Sequence, residues 1–394
     1  DWRPYFPFAE PRKEQIQAID FILDAFLNKH KRFVCAVAST GTGKSLIAIT
    51  VARFLKAYDN SNAYIITTQK TLQEQYVKDF GLEKGPLRSI KSSSNYECKR
   101  KPGHNCGEIL MVLRKNKEYS SCFGDCVYKQ EKEAFLNSPE AITNFPYFLT
   151  DANYAEKIKE RELLIIDEAH NIENNISSFV EITISERFAK QVLKLDMPII
   201  KTENQAIKWI KQEYIGILTR HLEHLEGVFE KFAGLKEKLN EISNVVKQYK
   251  LIESHHKKLV SFLQVYTKDN WVTTFIEPTG KSLRKIEFKP VDVSHYAEEY
   301  LFRFGKRVLL MSATLLNKEA FCSSVGIRED NCEFISLPSP FPKENRPIYV
   351  FPCGKMSRDN IDKTLPEMVK IVKELLKQHK EDKGVIHVHT YKIA

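Results

Sequence analysis

The sequence predicts an α/β fold built on a parallel β-sheet. Four short apolar segments have the length and composition of strands that are buried on both faces, as strands of a parallel sheet are. These segments are residues 33–38, 63–67, 163–166 and 307–311. Helical stretches at 46–56 and 72–79 separate the first of them. This alternation predicts a doubly wound sheet whose ligand site lies at the carboxyl ends of the strands.

The first predicted strand leads directly into a glycine-containing loop at residues 38–45, with the sequence ASTGTGKS. Gly41 and Gly43 allow backbone N–H groups to curl around phosphate oxygens, which a Cβ would obstruct. Lys44 would then reach the β- and γ-phosphates, and the Ser45 hydroxyl would ligate Mg²⁺. Ala38 replaces the usual first glycine of this pattern. The residues that we predict to bind ATP here are Ser39, Thr40, Gly41, Thr42, Gly43, Lys44 and Ser45.

The predicted strand at 163–166 ends in two adjacent carboxylates, Asp167 and Glu168. Asp167 would hold Mg²⁺, Glu168 would position and polarise the attacking water, and His170 would sense the γ-phosphate. The alternative is an acidic helix N-cap, which often follows a strand. With the phosphate loop upstream, the pattern favours ATP hydrolysis, with Lys44, Asp167 and Glu168 as catalytic residues.

The overall composition is that of a globular protein with a mild excess of positive charge. Lysine and arginine number 60 and the acidic residues 51, so the net charge is +9, which permits a polyanionic partner. No apolar run approaches the length of a membrane span, and the amino-terminal residues do not form a secretory signal. The chain starts without Met, and residues 384–390 have the pattern of an opening strand, so we expect a piece of a longer chain.

Two insertions interrupt the predicted sheet. The first, about 88–135, contains four of the eight cysteines, and Lys and Arg outnumber acidic residues around them. The second, about 177–290, carries an apolar seam at helical spacing that predicts a helical hairpin or bundle.

Taken in order, these motifs resemble the superfamily 2 DNA helicases of the XPD/DinG type, over nearly the whole chain. The segments that carry the resemblance are 12–15 (RKEQ), 67–72 (TTQKTL), 167–170 (DEAH) and 307–315 (RVLLMSATL), together with the four cysteines followed by 141–149 (AITNFPYFL). The resemblance implies that Gln15 contacts the adenine base and that 67–72 grips a nucleic-acid backbone. It also implies that Ser312 and Thr314 couple hydrolysis to strand movement.

The four cysteines are Cys98, Cys106, Cys122 and Cys126, separated by seven, fifteen and three residues. By resemblance they would hold a [4Fe–4S] cluster, for which four thiolates are suitable ligands. The single close pair, C-x₃-C, also falls within the range of structural zinc sites, so Zn²⁺ remains the alternative.

The resemblance also implies a fold class and a division into domains. The fold would be a RecA-like parallel-sheet motor domain with a cysteine-rich metal-cluster insertion and a helical arch-like insertion. The expected parts are motor domain 1 (1–87, 136–176 and 291–335), the iron–sulfur domain (88–135), the arch-like domain (177–290) and an incomplete start of motor domain 2 (336–394).

The implied function is that of an ATP-dependent helicase or translocase on single-stranded or forked DNA, moving 5′→3′. We expect a monomer without membrane association in the cytoplasm, with the nucleus as the alternative, and little unwinding by these residues alone. Two other functions stay open, a zinc-stapled DEAH-box RNA helicase and a non-catalytic nucleic-acid-binding module.

Overall fold

The computed structural model describes residues 1–81, 83–113, 125–232, 239–278, 283–315, 317–345, 347–357, 359–388, 390 and 393. These residues form two compact units, 1–340 and 341–394. The described residues include ten strands, which are β1 (Phe33–Val37), β2 (Ala63–Thr67), β3 (Arg88–Ser89), β4 (Glu140–Asn144), β5 (Arg161–Asp167), β6 (Ile182–Ser185), β7 (Trp271–Ile276), β8 (Lys285–Pro290), β9 (Gly305–Ser312) and β10 (Cys332–Ser336).

Seven of these strands form one parallel sheet in the order β10-β1-β9-β5-β2-β4-β3. The predicted parallel sheet is therefore confirmed. All four predicted strands are present, within two residues at each end, whereas β3 and β10 were not predicted. The two residues of β3 are too few for a recognisable pattern, and β10 contains polar residues within the apolar run.

Side chains alternate along each central strand between two hydrophobic cores, one on either face of the sheet. In β1, Cys35 points into one core and Ala36 into the other. In β5, Ile166 and Ile165 divide in the same way. Because both faces of the sheet are covered, the central strands are apolar at nearly every position. These continuous apolar runs are the pattern from which the strands were predicted.

The helices are α1 (Lys13–Leu27), α2 (Lys44–Asp59), α3 (Lys70–Phe80), α4 (Cys106–Leu113), α5 (Val127–Asn137), α6 (Phe145–Asn153), α7 (Ile172–Val180), α8 (Glu186–Gln191), α9 (Glu203–Trp209), α10 (Ile215–Phe232), α11 (Leu239–Val265), α12 (Ser294–Tyr300), α13 (Lys318–Ser324) and α14 (Ile361–Gln378). Helices α1, α2 and α3 pack on one face of the sheet, and α6 and α7 pack on the other. No helix among the described residues is both long and apolar enough to cross a membrane.

The region between β6 and β8 contains a second, antiparallel sheet in the order β6-β8-β7 and the long helices α10 and α11. These helices run antiparallel, since Thr219 hydrogen-bonds His256 at 3.2 Å and Glu226 accepts from Tyr249 at 2.7 Å. The predicted helical hairpin is present here. Whether this region acts as an arch is a matter of function and stays a prediction.

The second unit contains one long helix, α14, and a short 3₁₀ turn at Lys343–Asn345. The prediction of a strand at 384–390 was wrong for the described part of that segment, because residues 384–388 do not form a strand. A single extended segment needs a neighbouring strand to supply its backbone hydrogen bonds, and none pairs with it among the described residues.

The carboxyl ends of the central strands meet at one edge of the main sheet. Val37 at the end of β1 is in register with Ser312 at the end of β9, and Asp167 at the end of β5 is in register with Met311. The phosphate loop and the acidic pair therefore lie at the same edge, as the sequence predicted.

Candidate active site

The phosphate loop, residues 38–43, connects β1 to α2 through two left-handed glycines. Gly41 has φ +87° and Gly43 has φ +83°, values that disfavour other residues. Gly43 is also confined by space, because a Cβ there would lie 2.5 Å from Nε2 of Gln15. The loop is closed by a hydrogen bond from the Thr42 N–H to the Ser39 carbonyl at 3.2 Å. Both glycines are therefore required by the backbone path.

The Lys44 ammonium lies between the loop and the acidic pair. Its Nζ donates to the Ala38 carbonyl at 3.3 Å and lies 3.9 Å from Oε1 of Glu168. The Lys44 side chain is 12 % exposed, so this charge is held in a mostly enclosed position. Lys44 and Glu168, which the sequence placed in one site, do come together.

The remaining loop residues lie around this centre. Thr42 is buried, and its hydroxyl lies 3.3 Å from that of Ser39. Thr40 is exposed at the tip of the loop, and Ser45 is half-buried in the first turn of α2. These residues therefore lie in the loop and in the first turn of α2, where backbone N–H groups can bind an anion.

Asp167 is buried at the end of β5, with 2 % of its surface exposed. Oδ1 accepts from the Glu168 N–H at 3.0 Å, and Oδ2 accepts from the Tyr76 hydroxyl at 2.9 Å. Burial raises the pKa of Asp167 above its ordinary value, while the bond from Tyr76 and the charge of Lys44 partly offset that rise. A buried carboxylate with this arrangement is suited to bind a divalent cation. The charge of the cation would compensate the ionised carboxylate for the hydration that it loses on burial.

Glu168 has a left-handed backbone, with φ +58° and ψ +49°. This conformation is uncommon for a residue other than glycine and concentrates at functional sites. It directs one carboxylate oxygen toward Lys44 and places the other 3.4 Å from Nδ1 of His170. The carboxylate is partly exposed, as a group that positions water must be.

His170 connects the acidic pair to the end of β9. Its Nδ1 lies 2.9 Å from the hydroxyl of Ser312, whose oxygen also accepts from the Thr314 N–H at 3.1 Å. Ser312 is completely buried. The three residues predicted from the DEAH and SAT motifs therefore form one hydrogen-bonded set.

Gln15 lies beneath the loop and is almost completely buried. Its Nε2 donates to the Thr42 carbonyl at 2.9 Å, and its Oε1 accepts from the Arg12 N–H at the same distance. The predicted contact of Gln15 with adenine stays a prediction. The observed role of Gln15 is to support the loop backbone at Thr42.

Three of the four predicted metal-ligating cysteines lie together. Cys98, Cys106 and Cys126 are buried in one small cluster with Ile109, flanked by Tyr96 and Tyr128. Burial raises the pKa of the Cys106 thiol to about 11, and the neighbouring Cys126 and Cys98 add to that rise. Cys122 lies outside the described residues. Within the described ranges, no group of three or more His, Cys, Asp or Glu side chains has the arrangement of a metal site.

A groove of about 700 Å³ opens beside this cluster. It is lined by three exposed lysines, Lys70, Lys157 and Lys257, and by the tyrosines Tyr128, Tyr147 and Tyr154. We refer to it as the lysine–tyrosine groove. Its walls come from α3, from α5 and α6, and from α11, so both insertions and the main sheet contribute to it.

Sequence reasoning did not identify Tyr76 as part of the site. Tyr76 lies on the buried face of α3 with Gln73 and Phe80, a spacing that indicates packing in the core. The only available signal was that its hydroxyl would need a partner once buried. The groove tyrosines Tyr147 and Tyr154 were missed because they lie far from the cysteines in sequence.

Comparison with known proteins supports the nucleotide chemistry. Residues 8–197 match the family model for the type III restriction enzyme res subunit. A probable ATP-dependent helicase of Methanocaldococcus jannaschii is 22 % identical over an alignment that covers 94 % of this chain and 69 % of that protein.

Two solved structures give weaker likenesses. Xpd4 of S. tokodaii has a TM-score of 0.48 at 14 % identity, covering 93 % of this chain and 69 % of that one. The UvsW helicase of bacteriophage T4 has a TM-score of 0.28 at 19 % identity, covering 43 % of this chain and 47 % of that one. At these TM-scores the overlaps carry no further argument. With the phosphate loop and the acidic pair, the family model and the archaeal relative show an ATP-hydrolysing enzyme that is similar to helicases.

Proposed function

We propose that this enzyme is an ATP-dependent translocase on single-stranded DNA, of the XPD/DinG type, moving 5′→3′. The observation that carries the proposal is the position of the lysine–tyrosine groove. Tyr128 belongs to both the groove wall and the edge of the cysteine cluster, so the two features are contiguous. A strand in the groove would touch the main sheet, the cysteine-rich insertion and the helical hairpin together. In this proposal those parts are motor domain 1, the iron–sulfur domain and the arch-like domain.

The chemistry of the groove suits a single strand. Exposed lysines attract phosphates without regard to sequence, and tyrosine rings offer flat faces on which unpaired bases stack. In a duplex the base faces are covered by stacking, and only the edges remain accessible. The groove therefore favours single-stranded over double-stranded nucleic acid, and forked DNA as a source of single strands.

At the phosphate loop, side chains of this protein would position the phosphates of ATP, the attacking water and Mg²⁺. Lys44 would leave the Ala38 carbonyl for the β- and γ-phosphates, and Glu168 would then be free to orient the attacking water. Asp167 and Ser45 supply the hard oxygen ligands that Mg²⁺ prefers, with phosphate oxygens completing its coordination. Bound Mg²⁺ would neutralise the charge that develops on the phosphates.

We further propose that the cysteine cluster holds [4Fe–4S]. Three buried cysteines lie together, and thiolate sulfur is the type of ligand that iron–sulfur clusters require. The fourth ligand would be Cys122. Zn²⁺ is the alternative occupant of the same thiolates. In either case the metal would stabilise a segment with a small core.

The nucleic-acid assignment is tested by ATP turnover with different polymers. We expect oligo(dT) to stimulate hydrolysis more than oligo(rU) or blunt duplex DNA, and Lys44→Ala to abolish turnover with all three. Stimulation by RNA alone would replace this proposal with an RNA helicase. On the intact protein, displacement of streptavidin from the 3′ end but not from the 5′ end of an oligonucleotide would establish the polarity.

The metal assignment is tested by elemental analysis and absorption after anaerobic purification. We expect about four irons per chain and a brown protein, with the colour lost in Cys126→Ser. Cys353→Ser, which alters a partly buried cysteine of the second unit, should keep both. One zinc per chain and no colour would contradict the iron–sulfur proposal.

A further inference from the structure

The hydroxyl of Tyr76 makes a direct contact with the carboxylate at the centre of the site. Tyr76 is completely buried on α3, and its Oη donates to Oδ2 of Asp167 at 2.9 Å. Strands β2 and β5 are neighbours in the sheet, so the helix that follows β2 lies near enough to the end of β5 for the Tyr76 side chain to reach Asp167. The contact thus joins α3 to the residue that we assign to Mg²⁺.

A hydroxyl buried in an apolar core is costly unless it is hydrogen-bonded, and a bond to a carboxylate is among the stronger ones. The surroundings of Tyr76 are apolar, since its ring packs in the core beneath β2 and contacts Phe80 with ring centroids 5.9 Å apart. The Tyr76 hydroxyl therefore makes a specific polar contact in apolar surroundings, and that contact is the hydrogen bond to Asp167.

The two bonds to Asp167 fix the orientation of its carboxylate. Oδ2 is held by Tyr76, and Oδ1 is held by the Glu168 N–H. A carboxylate held at both oxygens cannot rotate freely about its last bond, while each oxygen keeps a lone pair for a further partner. The arrangement has the form of an outer-shell hydrogen bond that orients a metal ligand.

Helix α3 is itself anchored one turn before Tyr76. The buried Gln73 donates to the Ile90 carbonyl at 2.9 Å and to the Ser89 hydroxyl at 2.7 Å. Its Oε1 accepts from Nδ2 of Asn144 at 3.2 Å. These bonds tie α3 to the strands β3 and β4, so the Tyr76 hydroxyl is presented from a fixed support.

We propose that Tyr76 is a positioning residue that orients Asp167 toward the divalent cation. This inference depends on the proposed assignment of Asp167 to Mg²⁺ and adds the group that sets its geometry. Outer-shell partners of metal ligands typically contribute 10- to 100-fold in metal affinity or activity. Loss of the hydroxyl should therefore weaken cation binding while the phosphate loop still binds nucleotide.

The test measures Mn²⁺ binding by electron paramagnetic resonance, with a non-hydrolysable ATP analogue bound. We expect Tyr76→Phe to weaken Mn²⁺ binding about tenfold, and to leave binding of the analogue in EDTA unchanged. Tyr64→Phe is the matched control, because it removes the hydroxyl of another buried tyrosine, which lies on strand β2. Equal Mn²⁺ affinity in Tyr76→Phe and the unaltered chain would overturn the proposal.

A third variant distinguishes a failure of the proposed role of Tyr76 from a failure of the proposed metal site at Asp167. Asp167→Asn should weaken Mn²⁺ binding more than Tyr76→Phe does. If Asp167→Asn has no effect, the assignment of the metal site itself fails, whatever Tyr76 does. If Tyr76→Phe does not fold, Tyr76→Met fills the apolar space without a hydroxyl and gives the same comparison.

Discussion

His170 and Ser312 are joined by a hydrogen bond of 2.9 Å that links the end of β5 to the end of β9. Glu168 approaches the same ring nitrogen, with Oε2 3.4 Å from Nδ1 of His170. A change at the acidic pair therefore has a short polar path to Thr314, whose N–H donates to Ser312. We interpret this path as the connection between ATP turnover and strand contact.

Removing the Ser312 hydroxyl should break this connection. In Ser312→Ala we expect the stimulation of ATP hydrolysis by oligo(dT) to fall toward that of the free enzyme, because His170 loses its partner on β9. Ser324→Ala is a suitable control, since its hydroxyl donates within its own helix turn, to the Phe321 carbonyl. Full stimulation in Ser312→Ala would show that His170 and Ser312 do not transmit the signal.

Asp167 should contribute to function at a cost in stability. Burial raises its pKa, so its ionised form destabilises the nucleotide-free fold at neutral pH. Below the ordinary carboxylate pKa this penalty disappears, and it develops as the pH rises through the raised value. We therefore expect Asp167→Asn to melt a few degrees higher than the unaltered chain at pH 7 without Mg²⁺, and the difference to shrink in acid.

Thermal melting with and without Mg²⁺ and nucleotide checks this expectation. The exposed Asp196→Asn serves as the control and should leave the melting temperature unchanged. A lower melting temperature for Asp167→Asn at pH 7 would contradict the stated effect of burial.

Glu186 should stabilise the helical insertion through Arg284. The hydrogen bonds from Arg284 and Lys190 lower the pKa of Glu186 to about 2. Because the folded pKa lies below the ordinary value of 4.5, this stabilisation is present above pH 4.5 and is lost as the pH falls toward 2. Glu186→Gln should therefore unfold at lower denaturant concentration at pH 7, and the difference should vanish near pH 2.

Chemical denaturation across that pH range measures the effect. The exposed Glu299→Gln should show no comparable difference at either pH. A pH-independent gap between Glu186→Gln and the unaltered chain would attribute the effect to packing rather than to charge.

The lysines of the lysine–tyrosine groove should contribute to DNA binding by neutralising phosphates. In the double variant Lys157→Ala, Lys257→Ala we expect weaker oligo(dT) binding. The slope of log affinity against log salt concentration should be shallower by about 0.7 for each phosphate that a lysine no longer neutralises. Lys306→Ala is the control, because Lys306 lies near the amino end of β9, at the opposite edge of the sheet. An unchanged slope in the double variant would show that the DNA strand does not bind in the lysine–tyrosine groove.

The features that could be predicted from the sequence are those in which local pattern and chemistry coincide. Phe33–Val37 is apolar throughout and leads into two glycines and a lysine, so both strand and loop were identifiable. The same holds for β5 and its acidic pair. By contrast, β10 begins with Cys332 and Glu333 and ends in Ser336, and only its pairing with β1 makes it a strand.

Contacts between distant segments could not be predicted. The bond between Tyr76 and Asp167 spans 91 residues and depends on β2 and β5 being neighbours, which the strand order decides. The lysine–tyrosine groove combines Lys70 with Lys257 for the same reason. Gln15 was predicted to belong to the site, but its bond to the loop backbone at Thr42 became evident only from the fold.

The most direct test of the central claim is a comparison of ATP turnover and ATP binding in Glu168→Gln. If Glu168 orients the attacking water, turnover should fall about 100-fold or more, while binding through Lys44 and the loop is retained. Glu173→Gln, an exposed change in the first turn of α7, should leave both unchanged. Full turnover in Glu168→Gln would contradict the proposed site.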